Sequence, residues 1–184
     1  GLWSLAIYGL AMSLAFVFPG QGSQAPGMGR DLAAAFPIAR ETFQEVDDAL
    51  GQKLSRLIFE GPGEELTLTA NAQPALMAVS VAIARVLAKE GGFDISRQVS
   101  LVAGHSLGEY SALTAAGSFD LGTAARLLRL RGDSMQAAVP PGEGAMAALL
   151  GAEAGQAAAI CAAAAQGEVL EVANDNGGGQ VVIS

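Results

Sequence analysis

The most informative segment of the chain is Val99-Ser100-Leu101-Val102-Ala103-Gly104-His105-Ser106-Leu107-Gly108, in which an apolar run leads into a serine between two glycines. The pattern predicts a buried strand over 99–103 and a helix over 107–116. A G-x-S-x-G sequence at such a junction is typical of a nucleophile elbow, because a Cβ at either glycine would collide with neighbouring backbone. Ser106 would project from the carboxyl edge of the sheet, with the N–H of Leu107 aimed at a developing oxyanion. An ordinary glycine-containing turn is the alternative.

The segments around this elbow alternate between strand and helix. An apolar run closed by Pro19-Gly20 predicts a first strand, and helical spacing of apolar residues predicts three further helices. Asp120 is expected to cap the last of these helices. The predicted elements are a strand over 14–18 and helices over 37–50, 74–89 and 121–137. This alternation indicates an α/β fold with a parallel sheet.

The character of the chain changes after Pro140-Pro141-Gly142. The order β-α-β-β then predicts half of a ferredoxin-like unit. Its predicted elements are strands over 145–150, 168–173 and 180–184, a helix over 153–166 and a hairpin turn over 174–179. The sequence ends inside the last strand, so we expect a fragment of a longer protein. The expected domains are an extension (1–13), the N-terminal part of an α/β core (14–139) and a partial ferredoxin-like subdomain (140–184).

Composition excludes several classes of protein. The 184 residues are 51% apolar and 15% charged, which indicates a globular chain, and the net charge of −8 without a basic cluster disfavours nucleic acid as a partner. One cysteine, Cys161, and one histidine, His105, exclude a Cys/His zinc cluster, and Cys161 is expected to be a buried thiol in a reducing cytoplasm. Residues 1–18 carry no charge, yet they lead into a glycine loop. We therefore expect an upstream extension before Met12 and no membrane span.

His105 is the only histidine and stands next to Ser106. Adjacent side chains on a strand and turn diverge, so its imidazole is not expected to reach the Ser106 hydroxyl as a general base. A structural role at the elbow is the favoured interpretation.

A second glycine loop, Gly20-Gln21-Gly22-Ser23-Gln24-Ala25, follows the first predicted strand. It matches the G-x-G-x-x-A pattern of a dinucleotide-binding turn. Pro26 and Gly27 follow where the phosphate-binding helix should run, and no second strand comes next, which disfavours that site. The other interpretation is a loop whose backbone N–H groups supply the second oxyanion donor.

Arg131 stands in the apolar stripe of the predicted helix over 121–137, with Leu128 and Met135 on the same side. A guanidinium in that place needs an anion, because an unpaired buried charge is very costly. A carboxylate-bearing substrate and an internal salt bridge are both open at this point. Arg126 and Arg129 are expected to be ordinary solvated charges.

At these places the sequence resembles the malonyl-CoA:acyl carrier protein transacylase family. The resemblance covers about 14–184 and leaves 1–11 unmatched. The motifs that carry it, in order, are Phe16-Val17-Phe18-Pro19-Gly20-Gln21-Gly22-Ser23-Gln24, Gly104-His105-Ser106-Leu107-Gly108-Glu109-Tyr110-Ser111-Ala112-Leu113, Arg131-Gly132 with Met135-Gln136, and Gly179-Gln180-Val181-Val182-Ile183.

The resemblance implies Ser106 as the acyl-accepting nucleophile and the backbone amides of Gln21 and Leu107 as the oxyanion hole. It implies that Arg131 holds the free carboxylate of a malonyl group. It also implies an α/β-hydrolase-like core with an inserted ferredoxin-like part, and a general-base histidine further along the family's chain than Ser184.

Three residues remain possible borders of the site: His105, Asn174 and Asn176. For the two asparagines the match is weak, because the family has an aromatic residue between them and this chain has Asp175.

The implied reaction moves a malonyl group from malonyl-CoA to the phosphopantetheine thiol of an acyl carrier protein through an acyl-Ser106 intermediate. No metal and no redox cofactor is expected. A serine hydrolase or thioesterase with the same elbow, and a catalytically inactive fragment, are the alternatives. Whether the carrier serves fatty acid or polyketide synthesis, and the oligomeric state, are not determined by the sequence.

Overall fold

The elbow stands at the end of a parallel pair of strands, β1 (Ala15–Phe18) and β2 (Leu101–Gly104). The computed structural model describes residues 14–140 and 142–184, so the predicted extension over 1–13 lies outside the described residues. In the pair, Ala15 is opposite Leu101 and Phe18 is opposite Gly104. The α/β fold and the parallel pairing are confirmed, although the second strand begins two residues later than predicted. The prediction that this strand is buried was wrong, because Leu101 is 61% exposed at the edge of a two-stranded sheet.

Helices make up most of the unit that contains this pair, which extends to Gln136. They are α1 (Arg30–Ala35), α2 (Pro37–Leu50), α3 (Leu54–Glu60), α4 (Gly63–Thr67), α5 (Thr69–Lys89), α6 (Ile95–Gln98), α7 (Gly108–Ala115) and α8 (Leu121–Ala138). The predicted bounds of α2 are confirmed. Pro37 occupies its first turn, and Gly51 ends it with a left-handed φ of 60°.

Helix α5 begins at Thr69, five residues before the predicted start. Pro74 lies inside the helix, one turn from its beginning, and not near its first position. Pro74 is the sixth residue of the helix, so its missing N–H removes one intrahelical hydrogen bond, the one that would reach the carbonyl oxygen of Ala70. The prediction was wrong because the five added residues, 69–73, alternate small and polar side chains without helical periodicity.

The core of this unit is formed by the helices around α5. The seven consecutive residues of this helix from Ala72 to Ala78 are almost completely buried. By length and composition α5 is the one described helix that could cross a membrane, but 61% of its most apolar window is buried inside the protein. The other buried members of the core include Phe43, Val46, Leu54, Ile58, Leu66, Leu107, Leu121 and Leu128.

The second unit runs from Ala137 to Ser184 and begins three residues before the predicted boundary. It contains β3 (Ala147–Leu150), α9 (Ala154–Ala164), β4 (Val172–Asp175) and β5 (Gln180–Ile183). The strands form an antiparallel sheet in the order β3-β5-β4. Cys161 on α9 is a buried free thiol, as predicted.

One strand of the second unit was misplaced by the prediction. The strand expected over 168–173 begins at Val172 and continues through Asp175, so the hairpin turn is shorter than expected. Asp175 pairs with Val181, and a register shift lies between Val172 and Asn174. The glycines at 177–179 all have positive φ, a conformation that glycine adopts without strain, and the N–H of Gly177 donates to Asp175 Oδ1 over 3.0 Å.

Candidate active site

The two glycines of the elbow are required by close backbone contacts. A Cβ on Gly104 would lie 1.9 Å from the carbonyl carbon of Gly108, and a Cβ on Gly108 would lie 2.4 Å from the carbonyl oxygen of Phe18. Real Cβ atoms do not approach backbone so closely. The start of α7 therefore packs directly on the ends of β2 and β1, as the G-x-S-x-G pattern predicts.

Ser106 sits at the apex of this turn in a left-handed conformation, with φ of 54°. A serine with positive φ is uncommon and is characteristic of strained functional turns. The N–H of His105 donates to the carbonyl oxygen of Phe18 over 3.1 Å, and the N–H of Gly108 donates to the carbonyl oxygen of His105 over 2.9 Å. These bonds hold the turn, and the Ser106 side chain is exposed above it.

Arg131, on α8, lies directly against the serine. Its Nη2 donates to Ser106 Oγ over 3.0 Å, and its Nη1 donates to Gln73 Oε1 over 2.5 Å. The side chain is half-buried, and among the residues described it forms no ion pair with a carboxylate. The sequence allowed an internal salt bridge as the partner of Arg131. The observed partners are instead two neutral acceptors, Gln73 and Ser106.

Two residues of this site were missed by sequence reasoning. Gln73 is completely buried, and its Nε2 donates to Thr69 Oγ1 over 2.8 Å. Thr69 Oγ1 in turn donates to Gln21 Oε1 over 2.9 Å. The signal that was available is the pair of polar residues at 69 and 73, spaced to share one face of a helix directly before an apolar run.

The glycine loop that carries Gln21 packs against the elbow. A Cβ on Gly20 would lie 2.5 Å from His105 Nδ1 and 3.0 Å from the carbonyl oxygen of His105. Within the described part of the chain, the backbone N–H groups of Gln21 and Leu107 donate to no protein acceptor. One of these N–H groups belongs to Leu107, the residue after the serine. The other belongs to Gln21, in the glycine loop that packs against His105, the residue before the serine.

The imidazole of His105 lies on the side of the Gly20 loop. It is exposed, and its Nδ1 lies so close to Gly20 that a Cβ built on this glycine would be 2.5 Å from it. This position agrees with a packing role at the elbow. The dinucleotide interpretation of the same loop has no support, because helices α1 to α6 follow β1 before the next strand.

Arg126 and Arg129 behave differently from each other. Arg126 is exposed, as predicted. Arg129 is not a solvated charge, which corrects the prediction: its Nη1 donates to Asn71 Oδ1 over 2.8 Å and its Nη2 to Gln52 Oε1 over 2.7 Å. The side chain is half-buried because it bridges the beginning of α5 and the loop after α2.

The beginning of α8 is fixed by a charged cap. Asp120 accepts hydrogen bonds from the side chain and the backbone N–H of Thr123, each over 2.7 Å. The side-chain bond from Thr123 is the main reason that the pKa of Asp120 is lowered, and its backbone bond acts in the same direction. The helix that carries Arg131 is thus anchored by an ionised carboxylate.

Asn174 and Asn176 belong to the second unit. Asn174 is an exposed residue of β4, and Asn176 opens the hairpin turn, where its Nδ2 donates to Gln180 Oε1 over 3.0 Å. Within residues 14–140 and 142–184, no group of three or more His, Cys, Asp and Glu side chains is arranged to hold a metal ion.

Comparison with known proteins places these features in a family context. The family model described as "Acyl transferase domain" matches residues 15–184. The malonyl CoA-acyl carrier protein transacylase of Escherichia coli strain K12 is 51% identical over 170 residues, which cover 92% of this chain and 54% of that protein. The chain thus spans about half the length of the curated relatives it matches.

Solved structures agree with this result. The acyl-carrier-protein-S-malonyltransferase of Bartonella henselae is 59% identical with a TM-score of 0.87, over 94% of this chain and 55% of that one. A malonyl-transacylase in complex with its type II PKS acyl-carrier protein is 51% identical with a TM-score of 0.83, over 93% of this chain and 54% of that one.

Proposed function

The chain belongs to the acyl transferase domain family, and we propose that the protein containing it moves a malonyl group from CoA to the phosphopantetheine thiol of an acyl carrier protein. Ser106 is the nucleophile in this proposal. The proposal draws on relatives named for the same transfer and on a relative whose structure holds an acyl-carrier protein.

The observation that carries the proposal is the contact between Arg131 and Ser106. A guanidinium 3.0 Å from the serine hydroxyl has only neutral protein acceptors among the described residues. Malonyl thioesters differ from acetyl thioesters by a free carboxylate, which a guanidinium can bind through two parallel hydrogen bonds. Arg131 therefore selects an acyl group that carries its own negative charge.

The chemistry proceeds in two balanced steps. Ser106 Oγ attacks the thioester carbonyl and loses its proton, the C–S bond breaks, and CoA leaves as its protonated thiol. The carrier thiol then attacks the acyl-serine ester, and Ser106 Oγ recovers a proton as the new thioester forms. The N–H groups of Gln21 and Leu107 would donate to the oxyanion in both steps. His105 is not assigned as the general base, because its imidazole lies against the Gly20 loop.

The same proposal extends to the architecture. We infer that β1 and β2 are neighbouring strands of an α/β-hydrolase-like parallel sheet, and that residues 140–184 are the first half of a ferredoxin-like subdomain. The strand-elbow-helix junction and the β-α-β-β order support these two assignments. Asn174 and Asn176 are proposed as site residues on the family resemblance alone. A buried free Cys161 fits a cytoplasmic protein, and this chemistry needs neither metal nor redox cofactor.

Intact mass spectrometry tests the nucleophile. The protein that contains this chain is incubated with malonyl-CoA, and a covalent adduct of one malonyl group is expected on the wild type and not on Ser106→Ala. Addition of a phosphopantetheinylated acyl carrier protein should then discharge the adduct and produce malonyl carrier. An adduct that persists in Ser106→Ala would reject Ser106.

The fate of the adduct separates this function from the alternatives. A serine hydrolase with the same elbow would lose the malonyl group to water at the same rate with and without the carrier protein. A catalytically inactive protein would form no adduct.

A further inference from the structure

We propose that Gln73 is a positioning residue, held by Thr69, that orients the Arg131 guanidinium toward the incoming carboxylate and leaves its charge uncompensated. This inference rests on the proposed function and adds a specificity-determining residue to it. Neither Thr69 nor Gln73 belongs to a motif by which the sequence resembles the family. They are identified by their contacts alone.

The hydrogen bonds of Gln73 leave only one orientation for its amide. Oε1 accepts from Arg131 Nη1 over 2.5 Å, and Nε2 donates to Thr69 Oγ1 over 2.8 Å and contacts Met135 Sδ at 3.3 Å. Rotating the amide by half a turn would place its NH₂ group against the guanidinium, where both groups are donors. Because Gln73 is completely buried, no water replaces a lost partner. The amide is thus a fixed acceptor for one end of the guanidinium.

The backbone of α8 fixes the distance between the two helices. A Cβ on Gly132, the residue after Arg131, would lie 2.6 Å from Ala70 Cα and 2.8 Å from the carbonyl oxygen of Thr69. The glycine therefore lets α8 contact the first turn of α5 directly. This approach is what brings Gln73 within hydrogen-bond distance of Arg131.

The choice of an amide at position 73 has an electrostatic consequence. A carboxylate at this buried position would form a salt bridge with Arg131 and satisfy its charge inside the protein. A neutral amide oxygen orients the same guanidinium without neutralising it. The positive charge then remains available to a substrate carboxylate near Ser106.

Thr69 connects this arrangement to the glycine loop. Its hydroxyl accepts from Gln73 and donates to Gln21 Oε1 over 2.9 Å, so one hydroxyl links the amide that holds Arg131 to the residue whose N–H is a proposed oxyanion donor. The hydrogen bonds run without interruption from Gln21 through Thr69, Gln73 and Arg131 to Ser106.

The test compares Gln73→Glu with Gln52→Glu in the protein that contains this chain. Gln52 accepts from Arg129, so the control adds the same charge beside the neighbouring arginine of α8. The rate of Ser106 acylation is measured by intact mass with malonyl-CoA and with acetyl-CoA. Gln73→Glu should lower the malonyl rate about 10- to 100-fold, as expected for loss of a charge-assisted contact, and leave the acetyl rate within about threefold. Gln52→Glu should change neither rate by more than about threefold.

Three outcomes bear on the inference. If Gln73→Glu lowers both rates equally, Gln73 has only a structural role and the inference is wrong. If Arg131→Ala selectively lowers the malonyl rate and Gln73→Glu does not, the inference fails while the proposed function stands. If the wild type forms no adduct with malonyl-CoA, both are wrong.

A second pair of variants covers the case in which Gln73→Glu does not fold. Thr69→Val keeps the shape of the side chain and removes its hydroxyl, and Thr69→Ser restores the hydroxyl. The ratio of malonyl to acetyl acylation should fall in Thr69→Val and recover in Thr69→Ser. An unchanged ratio in a folded Thr69→Val would overturn the role of this residue.

Discussion

On two sides of helix α8 an arginine is held by a side-chain amide oxygen, but the two arginines differ in their second contact. Arg129 and Arg131 are both half-buried, and each donates to one amide oxygen of the first turns of α5, Asn71 for the former and Gln73 for the latter. The second acceptor differs. It is the Gln52 amide on one side and the hydroxyl of Ser106, in its strained turn, on the other. A guanidinium held by amides therefore becomes a candidate binding group only where its remaining contact is to a reactive, exposed atom.

Alanine substitution of each arginine tests this comparison and should give the largest effect. Arg131→Ala should lower malonyl acylation of Ser106 about 100-fold, the size expected when a partly buried charge loses its partner, and spare or improve acetyl acylation. Arg129→Ala should leave both rates within about threefold, because it has no contact with Ser106. The measurement is intact mass against time with each CoA ester. Equal losses with both esters in Arg131→Ala would reject the carboxylate-binding role.

Gly132→Ala should disturb both sides of α8 at once. The new Cβ would meet Ala70 Cα at 2.6 Å, so the helices must separate, at an expected cost of about 1–3 kcal/mol in the free energy of unfolding. The rate of malonyl acylation should also fall, because separation of the helices would move Gln73 out of hydrogen-bond distance of Arg131. Urea unfolding of the protein measures the stability change.

Gly122→Ala is the matched control on the same helix. A Cβ there meets only side-chain atoms at 3.4–3.5 Å, and alanine is the better helix former. Its stability should be unchanged or higher. If both glycine variants behave alike, the close packing of α8 on α5 is not what Gly132 provides.

Arg129→Ala should reduce stability and not selectivity. Asn71 is only 8% exposed, and losing its partner leaves the Oδ1 atom unsatisfied, with an expected cost of about 1–2 kcal/mol. Arg126→Ala, which removes an exposed arginine of the same helix, should change stability by less than about 0.5 kcal/mol. Thermal and urea unfolding compare the two variants, and equal values would place Arg129 among ordinary surface charges after all.

The smallest expected effect concerns Asp120, which caps the beginning of α8, the helix that carries both arginines. The lowered pKa of Asp120 means that its ionised form stabilises the folded state above the ordinary carboxylate pKa, and that this contribution disappears as the pH falls through the lowered value. The melting temperature of Asp120→Ala should therefore lie a few degrees below that of the wild type at neutral pH. The gap should begin to narrow as the pH falls below about 4 and should close only below the lowered pKa. Asp120→Asn keeps a capping side chain and should show a smaller gap. A gap that is independent of pH would contradict the charged cap.

Local rules predicted the elements whose ends carry strong signals. Pro37 and Gly51 bound α2, Asp120 caps α8, and the glycines around Ser106 mark the elbow. Each of these depends on backbone conformation or sterics of one short segment. Such constraints are visible in the sequence without knowledge of what packs nearby.

Tertiary contacts explain what the sequence did not reveal. The first turn of α5 has polar residues at Asn71 and Gln73 that are buried because guanidinium groups from α8, some 58 positions away in sequence, bond to them. Arg129 was predicted to be a solvated charge, but its hydrogen bonds to Asn71 and Gln52 make it a link between α5 and the loop after α2. Helical periodicity predicts neither effect, because it is derived from the spacing of apolar residues and not from polar residues that pair between helices.

The parallel pairing of β1 with β2 has a consequence for the order of folding. Ala15 lies opposite Leu101, so this pair closes a long loop, whereas α1 to α5 make contacts nearer in sequence. Closing long loops is slow, and a chain synthesised at about 5–20 residues per second presents Gln21 seconds before Ser106 and Arg131. We therefore expect the helices around α5 to form first and the serine turn to close last. Pulse-labelling hydrogen exchange should show amides of α5 protected before those of Phe18 and Gly104; simultaneous protection would mean that the strand pair nucleates the unit.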